Sequence, residues 1–209
     1  MSRPELETCA VVGVGLVGGS LGMALRASGR TVLGLDLAET LLAQAVACGA
    51  IDRGTLDPAE LASADLVVVA VPPMRVAETV RAIAPHLKSR AVVVDVASVK
   101  GSVVTDVEAA AHAGIHFVGS HPMFGSEGHG VGSARAELVR GAAWIFTPTA
   151  STDPGALAAL ERLARELDMR PVRLEPAEHD RQLGALSHLP YLISVALTRT
   201  APGFQVAGP

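Results

Sequence analysis

Hydrophobic positions along this chain fall into short unbroken runs separated by longer stretches of helical period. "CAVVGV" (9–14), "TVLGLD" (31–36), "LVVVAV" (66–71), "AVVVDV" (91–96), "HFVG" (116–119), "AWIFT" (143–147) and "VRL" (172–174) read as strands. Several of these runs do not alternate with polar residues. A strand of that kind is buried on both faces, as in a parallel sheet covered by helices. Helical patterns fill the gaps, at 16–27, 39–47, 76–84, 102–113 and 154–167. Regular alternation of strand and helix predicts an α/β domain with a doubly wound, mostly parallel sheet.

Past residue 174 the pattern changes. "EPAEHDRQLGALSHLPYLISVALTRT" holds no strand run and reads as one long helix, bent at Pro190, where the ring removes a ladder hydrogen bond. The expected organisation is therefore a first domain over 1–175 and the start of an all-helical domain over 176–209.

Composition narrows the class. Apolar residues make up 49% of 209, enough for a sizeable core and against disorder of the whole chain. A net charge of −4 gives no electrostatic case for nucleic acid. Cys9 and Cys48 lack metal-ligand spacing and sit in apolar surroundings, which reads as two reduced core thiols in a reducing compartment. The apolar run 9–25 is short for a membrane span, is broken by Gly13, Gly15, Gly18, Gly19 and Gly22, and has no basic flank. A buried strand running into a buried helix is the expectation, in a cytoplasmic protein without a membrane partner. Neither HExxH nor CxxC occurs, so no metal site is expected.

The first strand–helix junction, "VVGVGLVGGSLG", carries two overlapping motifs. Gly18, Ser20 and Gly22 form G-x-S-x-G, which can present a nucleophilic serine on an elbow. Ser20, however, follows the first strand of the chain and falls inside the helix, where packing or local capping is the expected role. Gly13, Gly15 and Gly18 form G-x-G-x-x-G, directly after a strand and opening a helix. That is the context of a Rossmann-type dinucleotide site: a tight turn, close approach of the pyrophosphate, and close seating of the helix. The phosphates would lie at the helix N-terminus, where free N–H groups favour anions. Asp36 ends the second strand eighteen residues beyond Gly18. A carboxylate there accepts from the ribose hydroxyls and repels a 2′-phosphate, and Leu37 and Ala38 offer no arginine, so NAD is favoured over NADP.

Three later stretches hold candidate chemistry. "DVASVKG" (95–101) leaves a buried strand at its carboxyl end, where open α/β sheets bind ligands, so Ser98 and Lys100 are well placed; the alternative is a helix cap by Ser98 or Ser102 with Lys100 in solvent. "GSHPMFGSEGHG" (119–130) is glycine-dense and begins with His121. A neutral histidine suits the proton of an alcohol near pH 7, with activity rising as the imidazole deprotonates. "SHLPY" (187–191) places His188 either at a ligand or as a satisfied group at a domain junction. His86, His112, His116, His129 and His179 look like surface residues, and Trp144 like core.

Together, "GVGLVGGSLGMALR", "VVDVASVKG", "FVGSHPMFGSEGHGV" and "LGALSHLPYL" resemble the prephenate/arogenate dehydrogenases of tyrosine biosynthesis, in order and in spacing. The pairing of "SHPMFGSE" with "SHLP" is more specific than the glycines. The hydroxyisobutyrate-type dehydrogenases and pyrroline-carboxylate reductases share the first motif and something like "VAVPP", but not that pair. The resemblance implies NAD-dependent oxidative decarboxylation of prephenate or arogenate. It implies that His121 polarises or deprotonates the C4 hydroxyl, and that Ser98 bonds the same hydroxyl and orients the nicotinamide. Glu127 and His188 would lie around the substrate side chain and carboxylates. Gly13, Gly15, Leu16, Val17, Gly18, Asp36, Val71 and Pro72 would hold the cofactor. Full-length family members form homodimers through a longer helical domain, which also supplies a carboxylate-clamping arginine. Both lie past residue 209, so a truncated member is expected. Another NAD-dependent dehydrogenase of a small acid, or a non-catalytic NAD-binding fragment, are the alternatives.

Overall fold

The computed structural model describes residues 6–110 and 114–200. Along the chain these form β1 (Thr8–Val12), α1 (Leu16–Ala27), β2 (Thr31–Leu35), α2 (Glu39–Ala47), β3 (Arg53–Thr55), β4 (Leu66–Val69), α3 (Val76–Ile83), β5 (Val92–Asp95) and α4 (Gly101–Ala109). Then come β6 (His116–Pro122), β7 (Ala143–Thr147), α5 (Pro154–Glu166), β8 (Arg170–Arg173), α6 (Pro176–Leu183) and α7 (Leu189–Thr200).

The strands make one sheet in the order β3-β2-β1-β4-β5-β6-β7-β8. All neighbours are parallel except β6 and β7, which run antiparallel with His121 opposite Ile145. The strand order reverses between β1 and β4, the switch point at which open α/β sheets bind ligands. Side chains alternate across the sheet. Leu66 and Val68 of β4 join one core with Leu21 and Leu25 of α1 and Leu160 and Leu163 of α5. Val67 and Val69 join the other with Val76, Val80 and Ile83 of α3 and Val103 and Val107 of α4. Burial on both faces explains why these strands read as continuous apolar runs. Asp153 caps α5 by accepting from Ala156 N–H at 2.8 Å, with Pro154 preset for the first turn.

The elements depart from the hydrophobic pattern where pairing or local chemistry overrides it. β1 stops at Val12 because Gly13 turns away at φ 91 while its N–H donates to the Leu35 carbonyl at 2.9 Å. β3 has no counterpart among the predicted strands; "RGT" buries only Thr55 and exists by pairing with Leu33–Leu35 at the sheet edge. β6 extends to Pro122 because antiparallel β7 pairs with residues 119–122. The predicted helix 102–113 is α4, and its last three predicted positions, with His112, lie outside the described residues.

The C-terminal segment is helical without a break from Pro176 to Thr200, as expected, and its irregularity lies just before Pro190. A π-helical turn, Gly184–His188, separates α6 from α7. The proline ring crowds the carbonyl four residues back, at Leu186, and a widened turn there accommodates it. Cys9 is buried as expected, and burial pushes its thiol up to about 12. Cys48 is not a core thiol: it is exposed, at the end of α2, where the helix leaves the core. Among the described residues no helix is long and apolar enough to cross a membrane.

Candidate active site

The site runs along the carboxyl edge of the sheet. At the switch point the glycine turn divides its work. A Cβ on Gly13 would collide with the Ala70 carbonyl, and one on Gly18 with the Gly13 carbonyl, so α1 and the turn are in backbone contact. A Cβ on Gly15 would meet nothing within 4 Å. That space lies at the N-terminus of α1, which has no side-chain cap. It is the opening a pyrophosphate requires. Leu16 and Val17, half-buried, form the first turn behind it. Asp36 accepts from Val14 N–H at 2.9 Å and Leu37 N–H at 2.7 Å, which fixes its carboxylate at the mouth of the turn. A cavity of about 500 Å³ opens between these groups, lined by Gly15, Asp36, Leu56, Val71, Pro72 and Ile83 among others. Mostly apolar walls, with the Asp36 carboxylate and the Arg75–Glu78 ion pair among them, suit an adenosine half, and the residues present fit the dinucleotide. Ser20 is buried inside α1 and its Oγ accepts from Arg135 N–H at 3.0 Å, a packing role and not a nucleophile's.

Further along the edge, a buried polar network joins β5 to β6. The Lys100 ammonium pairs with Asp95 and donates to the Ser120 carbonyl at 2.7 Å, both side chains of the pair being fully buried. Asp95 also accepts from Ser120 N–H at 2.9 Å and Ala97 N–H at 3.0 Å. Trp144, in the core as expected, donates Nε1–H to Ser120 Oγ at 2.9 Å. Lys100 is therefore buried within this network and not in solvent. Burial presses its pKa down, against the pull of Asp95. Every member has partners, so the network rigidifies the residue before His121.

His121 ends that path. Its Nδ1 lies 3.0 Å from Nε2 of His179, whose Nδ1 lies 2.8 Å from Asp180 Oδ1. Asp180 accepts in turn from Lys100 N–H at 2.7 Å and Gly101 N–H at 2.8 Å, the start of α4. No side chain of α4 caps that helix, so neither Ser98 nor Ser102 is the cap. Burial of His121, reinforced by His179, Lys100 and His188, lowers its pKa to about 3. The imidazole is neutral at physiological pH. Burial of Asp180 works to raise its pKa, but bonds from Gly101, His179 and Lys100 prevail and hold it below the usual carboxylate range.

His179 is the main correction to the sequence reading. Expected at the surface, it is fully buried. The available signal is helical spacing: His179 and Leu183, four apart, are the two buried residues of α6. His116 is half-buried, with Nε2 lacking a partner among the described residues, whereas His86 and His129 are exposed as expected. His188 lies in the π-helical turn, near enough to His121 to oppose its charging. Ser98 is half-buried on the loop after β5, and Glu127 is exposed on the loop after β6. Among the described residues no group of three or more His, Cys, Asp or Glu could hold a metal ion.

Residues 21–172 match the family described as "Prephenate dehydrogenase, nucleotide-binding domain". Prephenate dehydrogenase of Bacillus subtilis (strain 168) is 29% identical over 195 residues, covering 91% of this chain and 53% of that protein. The probable prephenate dehydrogenase NovF of Streptomyces niveus is 36% identical over 200 residues, covering 94% and 52%. The crystal structure of prephenate dehydrogenase from A. aeolicus in complex with hydroxyphenyl propionate and NAD+ aligns with a TM-score of 0.88 at 32% identity, over 97% of this chain and 72% of that one. The chain spans about half the length of the curated relatives it matches.

Proposed function

The chain belongs to the prephenate dehydrogenase family, and on that premise we propose that it carries the NAD site and the proton acceptor for oxidative decarboxylation of prephenate or arogenate, giving 4-hydroxyphenylpyruvate or tyrosine. The observation that carries the reading is a neutral, desolvated His121 at the same sheet edge as an open glycine turn and the Asp36 carboxylate. NAD, when bound, supplies the hydride acceptor. The chain's own residues do the rest. Gly15 and the first turn of α1, Leu16 and Val17, hold the pyrophosphate; Asp36 holds the ribose; Val71 and Pro72 border the nucleotide. His121 takes the C4 hydroxyl proton, Ser98 bonds the same oxygen, and His188 and Glu127 face the substrate's side chain and carboxylates. Aromatisation and loss of carbon dioxide drive the reaction, so positioning and one proton transfer are the protein's task.

Residues 1–175 act in this reading as the nucleotide-binding domain and 176–209 as the start of a helical substrate and dimer domain. α7 supports that division: Leu189, Tyr191, Leu192, Ile193 and Leu197 are exposed on it, apolar area that a partner surface would cover. A homodimer in the cytoplasm is the assembly this implies. NADH and carbon dioxide formation with prephenate and with arogenate, side by side, tests the function. Equimolar amounts with at least one substrate support it. Turnover of a small hydroxy acid in preference to both overturns it.

A further inference from the structure

We infer that His179 and Asp180 are positioning residues that set the tautomer of His121, holding its proton on Nδ1 and leaving the Nε2 lone pair as the base. The inference rests on the reading of His121 as proton acceptor and adds the groups that make it one.

The Asp180 carboxylate is held by two backbone donors and lies against one ring nitrogen of His179. Lys100 N–H and Gly101 N–H are fixed backbone donors, at 2.7 and 2.8 Å. Their position at the start of α4 favours an anion. A carboxylate only accepts, so His179 Nδ1, at 2.8 Å, must donate to it. A neutral imidazole has one N–H, and His179, fully buried, is held neutral by desolvation against the pull of Asp180. Its Nε2 is then an acceptor. At 3.0 Å from that lone pair, His121 Nδ1 must donate. The remaining ring nitrogen of His121, Nε2, is left unprotonated.

The other charged and titratable groups facing His121 are Lys100, His188 and, through His179, Asp180; Asp95 reaches His179. They bias whether the ring is charged, but none of them bonds His121 Nδ1, so none selects the tautomer. In the reaction the substrate O–H bond breaks and an Nε2–H bond forms, the C4–H bond breaks with its electron pair going as hydride to NAD, and the ring–carboxylate bond breaks with its pair entering the ring as carbon dioxide leaves, giving the aromatic phenolate. The positive charge formed on His121 is opposed by Lys100 and stabilised through His179 by the Asp180 carboxylate. The same logic orients the histidine of serine hydrolases, where a carboxylate fixes the tautomer without itself taking the proton.

The test reads protonation directly and needs no turnover. The chain is labelled with ¹⁵N-histidine, and the His121 resonances are identified by their loss in His121→Asn. In wild type at neutral pH, Nδ1 is expected at the protonated, pyrrole-like position and Nε2 at the unprotonated, pyridine-like one. The substitution His179→Gln retains one acceptor and one donor in the same direction and should preserve that pattern. His179→Phe removes the acceptor, and the His121 proton should redistribute to Nε2. Where the longer protein turns over, kcat should fall in the Phe variant with substrate KM retained, and recover in the Gln variant. A wild-type His121 protonated on Nε2, or a tautomer unchanged in a folded Phe variant, overturns the inference. Absence of prephenate or arogenate turnover with the wild-type tautomer as stated would instead overturn the proposed function.

Discussion

His121 Nδ1 and His179 Nε2 lie 3.0 Å apart, although 58 residues separate them in the chain. One ring stands on β6 and the other on α6, so the contact ties the nucleotide-binding sheet to the first helix beyond it. Burial of the pair is what moves the chemistry away from solution values.

The pH dependence follows from that burial. With the His121 pKa lowered to about 3, the ring stays neutral between about pH 5 and 8, so kcat/KM should show no acid limb near 6.5 from this residue. This replaces the simpler expectation of a rise around neutrality. Stability should follow the opposite ordering of states. The unfolded chain binds the proton first as pH falls, so stability is full above about 6.5 and declines toward about 3. Denaturant midpoints across this range should fall less steeply in His121→Asn than in wild type. An equal slope in both would contradict the assigned burial.

Gly15 and Gly18 should separate binding from folding. Gly15→Ala puts a methyl group into open space, so Tm should hardly change while NAD affinity falls by about tenfold or more. Gly18→Ala drives the same group into the Gly13 carbonyl and should cost about 1–3 kcal/mol of stability. Thermal melts and calorimetric titration of NAD on both variants check the contrast, which fails if Gly15→Ala binds NAD normally.

Asp36 should set cofactor choice. Its carboxylate is anchored by Val14 and Leu37 N–H and faces the cavity, while Leu37 is 96% exposed and offers no charge. Asp36→Ser with Leu37→Arg removes the repulsion and adds a guanidinium for a 2′-phosphate, shifting preference toward NADP. Dissociation constants for both cofactors decide it. Wild type binding NADP at least as tightly as NAD would refute the role of Asp36.

Lys100 should matter to folding through Asp95. Lys100→Met strands a fully buried carboxylate, at a cost of about 3–5 kcal/mol. For a chain of this size that lowers Tm by about 10 °C. Replacing both partners, Asp95→Leu with Lys100→Met, should cost less than the two single losses added together. Additive losses in the melts would mean that the pair is not coupled.

Legibility in the sequence tracks how each residue is buried. β1, β4 and β5 are covered on both faces, and their unbroken apolar runs reveal them; the glycine turn is visible because backbone geometry dictates its residues, and Asp36 because a carboxylate at the end of the second strand is what ribose hydroxyls call for. β3 is hidden because an edge pairing, not hydrophobicity, forms it. The π-helical turn is displaced from Pro190 because the ring acts on the preceding turn. His179 reads as surface because α6 is polar around it, "PAEHDRQL", and only contact with His121 and the start of α4 gives it an interior. Lys100 misleads in the same way: its burial depends on Asp95 and Ser120, brought together only by the pairing of strands β5 and β6.

The measurement that bears most on the proposed chemistry is kcat for His121→Asn in a chain extended to the length of its relatives, with NAD affinity measured on the same protein. Loss of the proton acceptor should lower prephenate- or arogenate-dependent kcat by about 10²-fold or more while the NAD dissociation constant stays unchanged. Near-normal kcat in that variant would contradict the account.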